Sequence, residues 1–161
     1  MNNAGTEGQP GPLTEETYAA TFDTNVLGTV LGLKHEMRVM LAQGHGNIVN
    51  VSFTYGRAGA PGASVYVASK HAVEGVTKVA ALEVAESGVR VNVVVPGPID
   101  TGMLSRFTGS PKNKADLISR VPMKRVGTPE EIAQTIVFLS SDKASFITGA
   151  SIAVDGGKLA R

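Results

Sequence analysis

The sequence predicts an α/β fold built on a parallel sheet with helices on its faces. Three observations lead to this prediction: helix-like and strand-like stretches alternate, the run 89–95 is rich in β-branched residues, and Pro96-Gly97-Pro98 ends that run abruptly. A continuous β-branched run is typical of a strand buried on both faces, as strands of parallel sheets are. The 161 residues are expected to form a single domain, 1–161.

Two long helices and a strand are predicted in the first half of the chain. Apolar residues recur at helical spacing over 13–43, with Thr14 as the expected N-cap, after a Gly/Pro-rich loop that ends at Pro12. The run 47–52 is predicted to be a strand, and 64–86 a second long helix. The wide apolar arc of the first helix indicates burial on two sides, against the sheet and another subunit.

The second half is predicted to add an irregular loop, a helix and a last strand to the run 89–95. Residues 99–127 are expected to be irregular, with one short helix near 114–120, and a loop of this length is usually a lid or a binding loop. Residues 128–131 read Thr-Pro-Glu-Glu, which combines an N-cap, a proline at the first helical position and a glutamate at the third. A last strand is predicted over 149–154.

Composition narrows the classes of function. The net charge is +1, so nothing indicates nucleic acid or an anionic membrane surface as a partner. No apolar run approaches the ~20 residues of a membrane span, no secretory signal is recognisable, and cysteine is absent, which together predict a cytoplasmic protein. His35, His45 and His71 have no ligand spacing, so no metal site is expected.

Tyr66 and Lys70 lie four residues apart at the head of the second long helix, so their side chains project from one face. Right-handed crossovers place the loops after the strands, 53–63 and 96–127, on one rim of the sheet, where open α/β sheets bind ligands. An ammonium group beside a phenol lowers the phenol's pKa from about 10. A tyrosine tuned in this way can act as general acid or base on an alcohol or a carbonyl.

The chain resembles the short-chain dehydrogenase/reductase family in six motifs that cover nearly its whole length. The motifs are Asn2-Asn3-Ala4-Gly5, Asn25-Val26-Leu27-Gly28, Ile48-Val49-Asn50-Val51-Ser52, Tyr66-Val67-Ala68-Ser69-Lys70, Pro96-Gly97-Pro98-Ile99-Asp100-Thr101 and Asp155-Gly156-Gly157. The resemblance implies a Rossmann-like fold. It also implies hydride transfer between a nicotinamide dinucleotide, NAD or NADP, and an alcohol or carbonyl.

The resemblance assigns roles residue by residue. It implies that Tyr66 is the catalytic acid/base, that Lys70 lowers its pKa and holds the nicotinamide ribose, and that Asn25 supports a proton-relay water. Residues 98–122 are implied as the substrate lid. The residues implied to contact the cofactor are Asn3, Ala4, Gly5, Val51, Ser52, Tyr66, Lys70, Pro96, Gly97, Ile99 and Thr101.

The front of the chain departs from the family pattern. The Gly-rich turn that seats the pyrophosphate on a helix N-terminus is expected before Asn2 and is not found there. Roughly 90 residues of βα units would be absent, so the fold is predicted to lack the N-terminal βαβ half. The remaining sheet, of about three strands, is then expected to have one bare edge, which is a hazard for unwanted pairing.

Phe53 is the second departure. The family's catalytic serine, which orients and polarises the reacting carbonyl, lies thirteen residues before the tyrosine, and that position is Phe53 here. Ser52 is one residue short, and since neighbouring strand residues face opposite sides, its hydroxyl is expected to point away from the substrate. Loss of one such donor costs about 10²–10³ in rate, so little or no dehydrogenase activity is predicted.

Three interpretations stay open: an oxidoreductase acting on a small alcohol or ketone, a non-catalytic oligomerisation module, and a fragment of a longer protein. The resemblance implies pairing through the two long helices, so a homodimer or homotetramer is expected. The lid is fairly apolar and favours a hydrophobic substrate, through Met103, Leu104, Phe107 and Leu117. The choice between NAD and NADP is open, because the strand that reads the adenosine ribose is not found.

Overall fold

The computed structural model describes residues 1–7 and 14–160; the predicted loop over 8–12 and the predicted helix start at residue 13 lie outside these described residues. The described chain forms a parallel three-stranded sheet in the order β1-β2-β3, with β1 Gly46–Val51, β2 Val89–Pro96 and β3 Ser151–Val154. Its α-helices are α1 Glu15–Phe22, α2 Gly28–Gln43, α3 Ser64–Glu83, α4 Gly102–Thr108, α5 Pro111–Ser119 and α6 Pro129–Ser140. The predicted α/β fold with a parallel sheet is confirmed.

Helices cover both faces of the sheet, which gives three layers. On one face α2 and α3 enclose a core with strand residues, formed by Leu33, Ile48, Ala80, Ala81, Val84, Val89 and Val91. On the other face α6 packs Ile132 and Leu139 against Val49 and Val94. Ile48 and Val49 are neighbours in β1 and enter opposite cores, as the pleat of a strand requires.

The first long helix is continuous as predicted, with helical backbone angles at both junctions, but it contains a π-helical turn that was not predicted. It divides into α1, a π-helical turn over Asp23–Leu27, and α2. Thr14 caps α1 as predicted, since its side chain accepts a hydrogen bond from Thr17 N. A π-helical turn inserts one extra residue into the helical path, and such turns are frequent at functional sites. Here it carries Asn25, which is only 1% exposed.

Residues 98–122, the predicted lid, are more helical than expected. Helices α4 and α5 occupy most of the stretch expected to be irregular, and Thr101 and Ser110 cap their N-termini with side-chain oxygens. Two backbone hydrogen bonds of 2.9 Å, from Gly127 N to Pro98 O and from Asp100 N to Gly127 O, join the two ends of the region. The lid therefore leaves the sheet just after β2 and returns to the same place before α6.

The edge of β1 is paired only at its carboxyl end, so the prediction of a bare edge is wrong for residues 49–51. Asn2 forms a parallel bridge there: its N–H donates to Val49 O and its carbonyl accepts from Val51 N, both at 3.1 Å. Its side-chain Nδ2 donates to Glu36 Oε2 at 2.8 Å and to Asn50 Oδ1 at 2.9 Å. The backbone after Asn2 therefore starts from the carboxyl end of β1, on the rim where the loops lie.

Helix α6 begins as predicted. Thr128 Oγ1 accepts from Glu131 N, and Glu131 Oε2 accepts from Thr128 N at 2.8 Å, with Pro129 at the first helical position. This reciprocal pair satisfies two backbone donors at the helix N-terminus. None of the described helices, α6 included, is long and apolar enough to cross a membrane.

Candidate active site

A cleft of about 640 Å³ opens between the carboxyl ends of β1 and β2 and the lid helices. A cavity of this size, with mostly apolar walls and a few polar groups, is typical of a small-molecule site. The cleft brings together all the residues predicted to contact a cofactor, namely Asn3, Ala4, Gly5, Val51, Ser52, Tyr66, Lys70, Pro96, Gly97, Ile99 and Thr101.

Lys70 places a buried ammonium group at this cleft. Its Nζ donates to Val51 O at 3.3 Å and lies 5.6 Å from the centroid of the Tyr66 ring. Burial lowers the pKa of Lys70 to about 8. A lysine ammonium has three N–H donors, and among the described residues only Val51 O accepts from it, so two donors can serve a ligand.

The acidity of Tyr66 corrects the prediction from spacing. Burial raises the pKa of Tyr66 well above its usual range, and the Glu7 carboxylate and nearby Tyr55 raise it further. A lowered pKa of Tyr66 was predicted because Lys70 lies four residues away. Burial of the phenol raises the pKa by more than the Lys70 ammonium could lower it, since burial also disfavours the charged form of Lys70. Tyr66 is therefore a neutral phenol near pH 7, and its hydroxyl can donate.

Asn25 lies behind the cleft and not on its wall. Its Nδ2 donates to Thr6 O and to Ser69 Oγ, both at 3.0 Å, and its Oδ1 accepts from Thr6 N at 2.8 Å. A Cβ built on Gly5 would come within 3.3 Å of Asn25 Oδ1 and 3.4 Å of Lys70 Nζ. Glycine therefore lets the backbone at position 5 approach both polar groups closely.

Ser52 and Phe53 face different environments, as predicted for adjacent strand-end residues. The Ser52 hydroxyl points into α3, where it donates to Lys70 O at 3.2 Å and lies 3.3 Å from Glu74 Oε1. The Phe53 ring lines the cleft, with its centroid 6.0 Å from that of Tyr66. Position 53 thus presents a phenyl ring where the resemblance leads one to expect a serine hydroxyl.

Three polar residues of the cleft were missed from the sequence: Glu7, Tyr55 and Lys158. Glu7 Oε1 pairs with Arg106 Nε of α4 at 3.1 Å, which joins the N-terminal segment to the lid. Lys158 Nζ lies 4.6 Å from the centroid of the Tyr55 ring. Tyr55 could have been found from the sequence, because it lies two residues after Phe53 and residues two apart on an extended segment share a face. No comparable pattern indicates Glu7 or Lys158.

Known proteins similar to this chain are oxidoreductases. A family model described as "Enoyl-(Acyl carrier protein) reductase" matches residues 1–158. Cyclohexanol dehydrogenase of Acinetobacter sp. (strain SE19) is 40% identical over 159 residues, which cover 97% of this chain and 61% of that enzyme. 3-Oxoacyl-(acyl-carrier-protein) reductase FabG of Thermotoga maritima is 42% identical over 143 residues, which cover 89% of this chain and 57% of that enzyme.

Solved structures share the architecture as well. Gluconate 5-dehydrogenase from Burkholderia cenocepacia J2315, in complex with NADP and tartrate, superposes with a TM-score of 0.94 at 29% identity. The match covers 99% of this chain and 64% of that one. The chain thus spans about three fifths of the length of the proteins it matches, at 61%, 57% and 64%.

Proposed function

Because the chain belongs to the short-chain dehydrogenase/reductase family, we propose that its cleft is the nicotinamide and substrate end of an NAD(P)-dependent oxidoreductase site. The observation that carries the proposal is the convergence of the predicted cofactor residues on one cleft, with Tyr66 and Lys70 projecting into it from the first turns of α3. The proposed reaction is hydride transfer between NAD or NADP and a small alcohol or carbonyl compound.

The described residues fit a nicotinamide nucleotide. Two N–H donors of Lys70 and the hydroxyl of Tyr66 have no hydrogen-bond partner within residues 1–7 and 14–160, so they can meet the hydroxyls of a ribose. The side-chain-free backbone of Gly5 lies against the same ammonium group. Pro96, Gly97, Ile99 and Thr101 form the opposite wall. When bound, the nicotinamide would supply or accept the hydride.

Tyr66 and Lys70 would handle the proton. With its raised pKa, Tyr66 holds its proton near pH 7 and can transfer it to a carbonyl oxygen as that oxygen gains negative charge. The Lys70 ammonium, 5.6 Å from the ring, would stabilise the phenolate that remains. Asn25 would position residues 5–6 and α3 relative to each other; its support of a relay water stays a prediction.

The substrate proposed is a hydrophobic alcohol or ketone. Lid residues on α4 and α5 give the cleft an apolar wall, formed by Met103, Leu104, Phe107 and Leu117. Phe53 adds a phenyl ring opposite Tyr66 and removes the serine donor that the family pattern places there. We propose that turnover is slow for this reason, since one lost donor to a developing oxyanion costs about 10²–10³ in rate.

The test is turnover of the chain with NAD(H) and NADP(H), using cyclohexanone, cyclohexanol and a 3-oxoacyl thioester, the compound classes named for two relatives. We expect slow turnover by the wild type, at least tenfold faster turnover by Phe53→Ser, and none by Tyr66→Phe. Tyr18→Phe, an exposed tyrosine of α1, is the matched control. Turnover by Tyr66→Phe at the wild-type rate, or by neither the wild type nor Phe53→Ser, would contradict the proposal.

A second candidate function is a non-catalytic oligomerisation module. Large apolar side chains are exposed on α2 and α3, with Val30 40%, Leu31 44%, Val79 55% and Leu82 80% exposed. Such surfaces favour association with a second copy of the chain, as a dimer or tetramer. Sedimentation of the purified chain as a discrete oligomer that binds no nicotinamide nucleotide would favour this function. A cytoplasmic location stays a prediction from the sequence.

A further inference from the structure

The segment between β1 and α3 alternates between the interior and the cleft. Ser52 and Thr54 are buried, whereas Phe53 and Tyr55 line the cleft. The two rings meet edge to face with centroids 5.0 Å apart and an interplanar angle of 80°. Phe53 and Tyr55 thus form one aromatic wall, and only Tyr55 adds a hydroxyl to it.

The turn that carries Tyr55 is anchored at its far end. Arg57 Nε pairs with the buried Glu74 Oε2 at 2.9 Å, and Arg57 Nη2 donates to Ser151 O at 2.9 Å. A Cβ built on Gly56 would lie 2.5 Å from both Glu74 Oε1 and Ser52 Oγ, so the backbone sits tightly on α3. The position of Tyr55 relative to α3 is therefore fixed by packing and by an ion pair.

Several polar side chains at the cleft already donate a hydrogen bond to the protein itself. Ser52 donates to Lys70 O, Thr101 caps α4 and lies 3.4 Å from Ile99 O, and Lys70 donates to Val51 O. In contrast to these side chains, the hydroxyls of Tyr55 and Tyr66 have no hydrogen-bond partner in the described part of the chain. Two phenol groups thus remain available to a ligand in the same cleft.

Both phenols are neutral donors near pH 7. Burial raises the pKa of Tyr55 above its usual range, and the Arg120 guanidinium of the lid opposes this rise without cancelling it. Phe53 lies between the two tyrosines, since its ring centroid is 5.0 Å from that of Tyr55 and 6.0 Å from that of Tyr66. A single substrate oxygen can accept two hydrogen bonds, one for each lone pair of a carbonyl.

We propose that Tyr55 donates a hydrogen bond to the substrate carbonyl oxygen, and so offsets part of the loss of the serine donor at position 53. The inference rests on the proposed function, because it concerns the same cleft and a carbonyl substrate. Tyr55 keeps its proton throughout, whereas the O–H bond of Tyr66 breaks as the new O–H bond of the alcohol forms. The aromatic wall of Phe53 and Tyr55 orients the substrate while the Tyr55 hydroxyl polarises it.

The test measures the carbonyl of a bound ketone directly. Cyclohexanone labelled with carbon-13 at the carbonyl is titrated into the chain in the presence of NAD⁺ or NADP⁺, which cannot reduce it. Hydrogen bonding to the carbonyl oxygen moves the carbon-13 resonance to higher chemical shift. We expect such a shift in the wild type and a clearly smaller one in Tyr55→Phe, with affinity lowered by about tenfold or less because the ring is kept.

Controls separate the possible outcomes. Tyr66→Phe should also reduce the shift, since it removes the other donor, and Tyr18→Phe should leave it unchanged. Tyr55→Leu serves as a second variant if Tyr55→Phe does not fold. A bound-ketone shift in Tyr55→Phe equal to that of the wild type overturns the inference and leaves the proposed function standing. Failure of the wild type to bind the ketone contradicts the proposed function itself, and the inference with it.

Discussion

Asn25 Nδ2 donates a 3.0 Å hydrogen bond to Ser69 Oγ, which links the π-helical turn between α1 and α2 to α3, one residue before Lys70. The same Asn25 amide bonds Thr6 through both its nitrogen and its oxygen. One buried side chain therefore sets the distance between the N-terminal segment and the helix that carries Tyr66 and Lys70. The π-helical turn at Asn25 therefore helps to fix the geometry of the cleft, because its side chain bonds both segments that border it.

Replacement of Asn25 by alanine should destabilise the fold strongly. The variant loses three hydrogen bonds, two to the Thr6 backbone and one to Ser69 Oγ, at a side chain that is almost fully buried, so we expect a loss of about 2–4 kcal/mol in the free energy of unfolding. Asn113→Ala is the matched control: Asn113 is exposed and its side chain donates one hydrogen bond, to Thr108 O. Urea unfolding measures both, and equal losses in the two variants would show that Asn25 has no special role.

The partly buried ion pair of Arg57 and Glu74 should contribute more to stability than an exposed pair. Arg57→Met leaves the Glu74 carboxylate, 7% exposed, without its partner. We expect a loss of about 2 kcal/mol, less than the ~3–5 kcal/mol of a fully buried pair because the Arg57 side chain is 38% exposed. The control is Arg125→Met, which breaks the surface pair with Glu131. Urea unfolding measures both variants. If Arg125→Met lost as much free energy of unfolding as Arg57→Met, the result would contradict this account.

The stability of the chain should rise with pH through Lys70. Its folded pKa is about 8, against 10.5 for the ordinary lysine, so below pH 8 both states hold the proton. Between these values the unfolded chain binds a proton that the folded chain has released, and the free energy of unfolding increases, by up to about 1.4 kcal/mol per pH unit.

The comparison for this prediction is Lys70→Met, which removes the titrating group and keeps much of the side-chain volume. Urea unfolding of both proteins from pH 7 to pH 10 isolates the contribution of Lys70, because the other titrating groups are shared. We expect the free energy of unfolding of the wild type to rise with pH relative to that of Lys70→Met over this window. A difference that stays constant with pH would mean that Lys70 is not buried as a destabilised cation.

A side chain at position 97 should lower the free energy of unfolding. A Cβ at this position would lie 2.7 Å from Asp155 Cα and 3.0 Å from Asp155 O, and backbone atoms cannot move aside cheaply. We expect Gly97→Ala to cost about 1–3 kcal/mol in the free energy of unfolding, as overpacking does. Gly59→Ala is the control, since no atom lies within 4 Å of a Cβ there. Thermal unfolding measures both variants. If Gly97→Ala unfolded at the same midpoint temperature as Gly59→Ala, this would contradict the tight packing of Gly97 against Asp155.

The features predicted correctly depend on local signals. The alternation of elements, the four-residue spacing of Tyr66 and Lys70, and the capping box at Thr128 each involve a few residues whose periodicity or cap chemistry acts at short range. The residues around the cleft were predicted from the family resemblance, and the structure brings them together. The Ser110-Pro111 pair is also a local helix-start signal, an N-cap followed by proline, and it was overlooked in the prediction of the lid.

The features that could not be predicted depend on contacts between distant parts of the chain. The hydrogen bond between Asn2 and Asn50 joins residues 48 apart, so no local pattern indicates that Asn2 pairs with the end of β1. The side chain of Asn25 in the π-helical turn bonds Thr6 and Ser69, which lie 19 and 44 residues away in the sequence. The acidity of Tyr66 is set by burial, which the spacing to Lys70 does not reveal.

The central claim is that the cleft binds a nicotinamide nucleotide through Lys70 and Tyr66, and a fluorescence titration of the purified chain with NADH and NADPH tests it most directly. We expect saturable binding of at least one of the two, weakened tenfold or more in Lys70→Met and unchanged in Tyr18→Phe. Absence of saturable binding by the folded wild-type chain, or equal affinity in Lys70→Met, would contradict the assignment of the cleft.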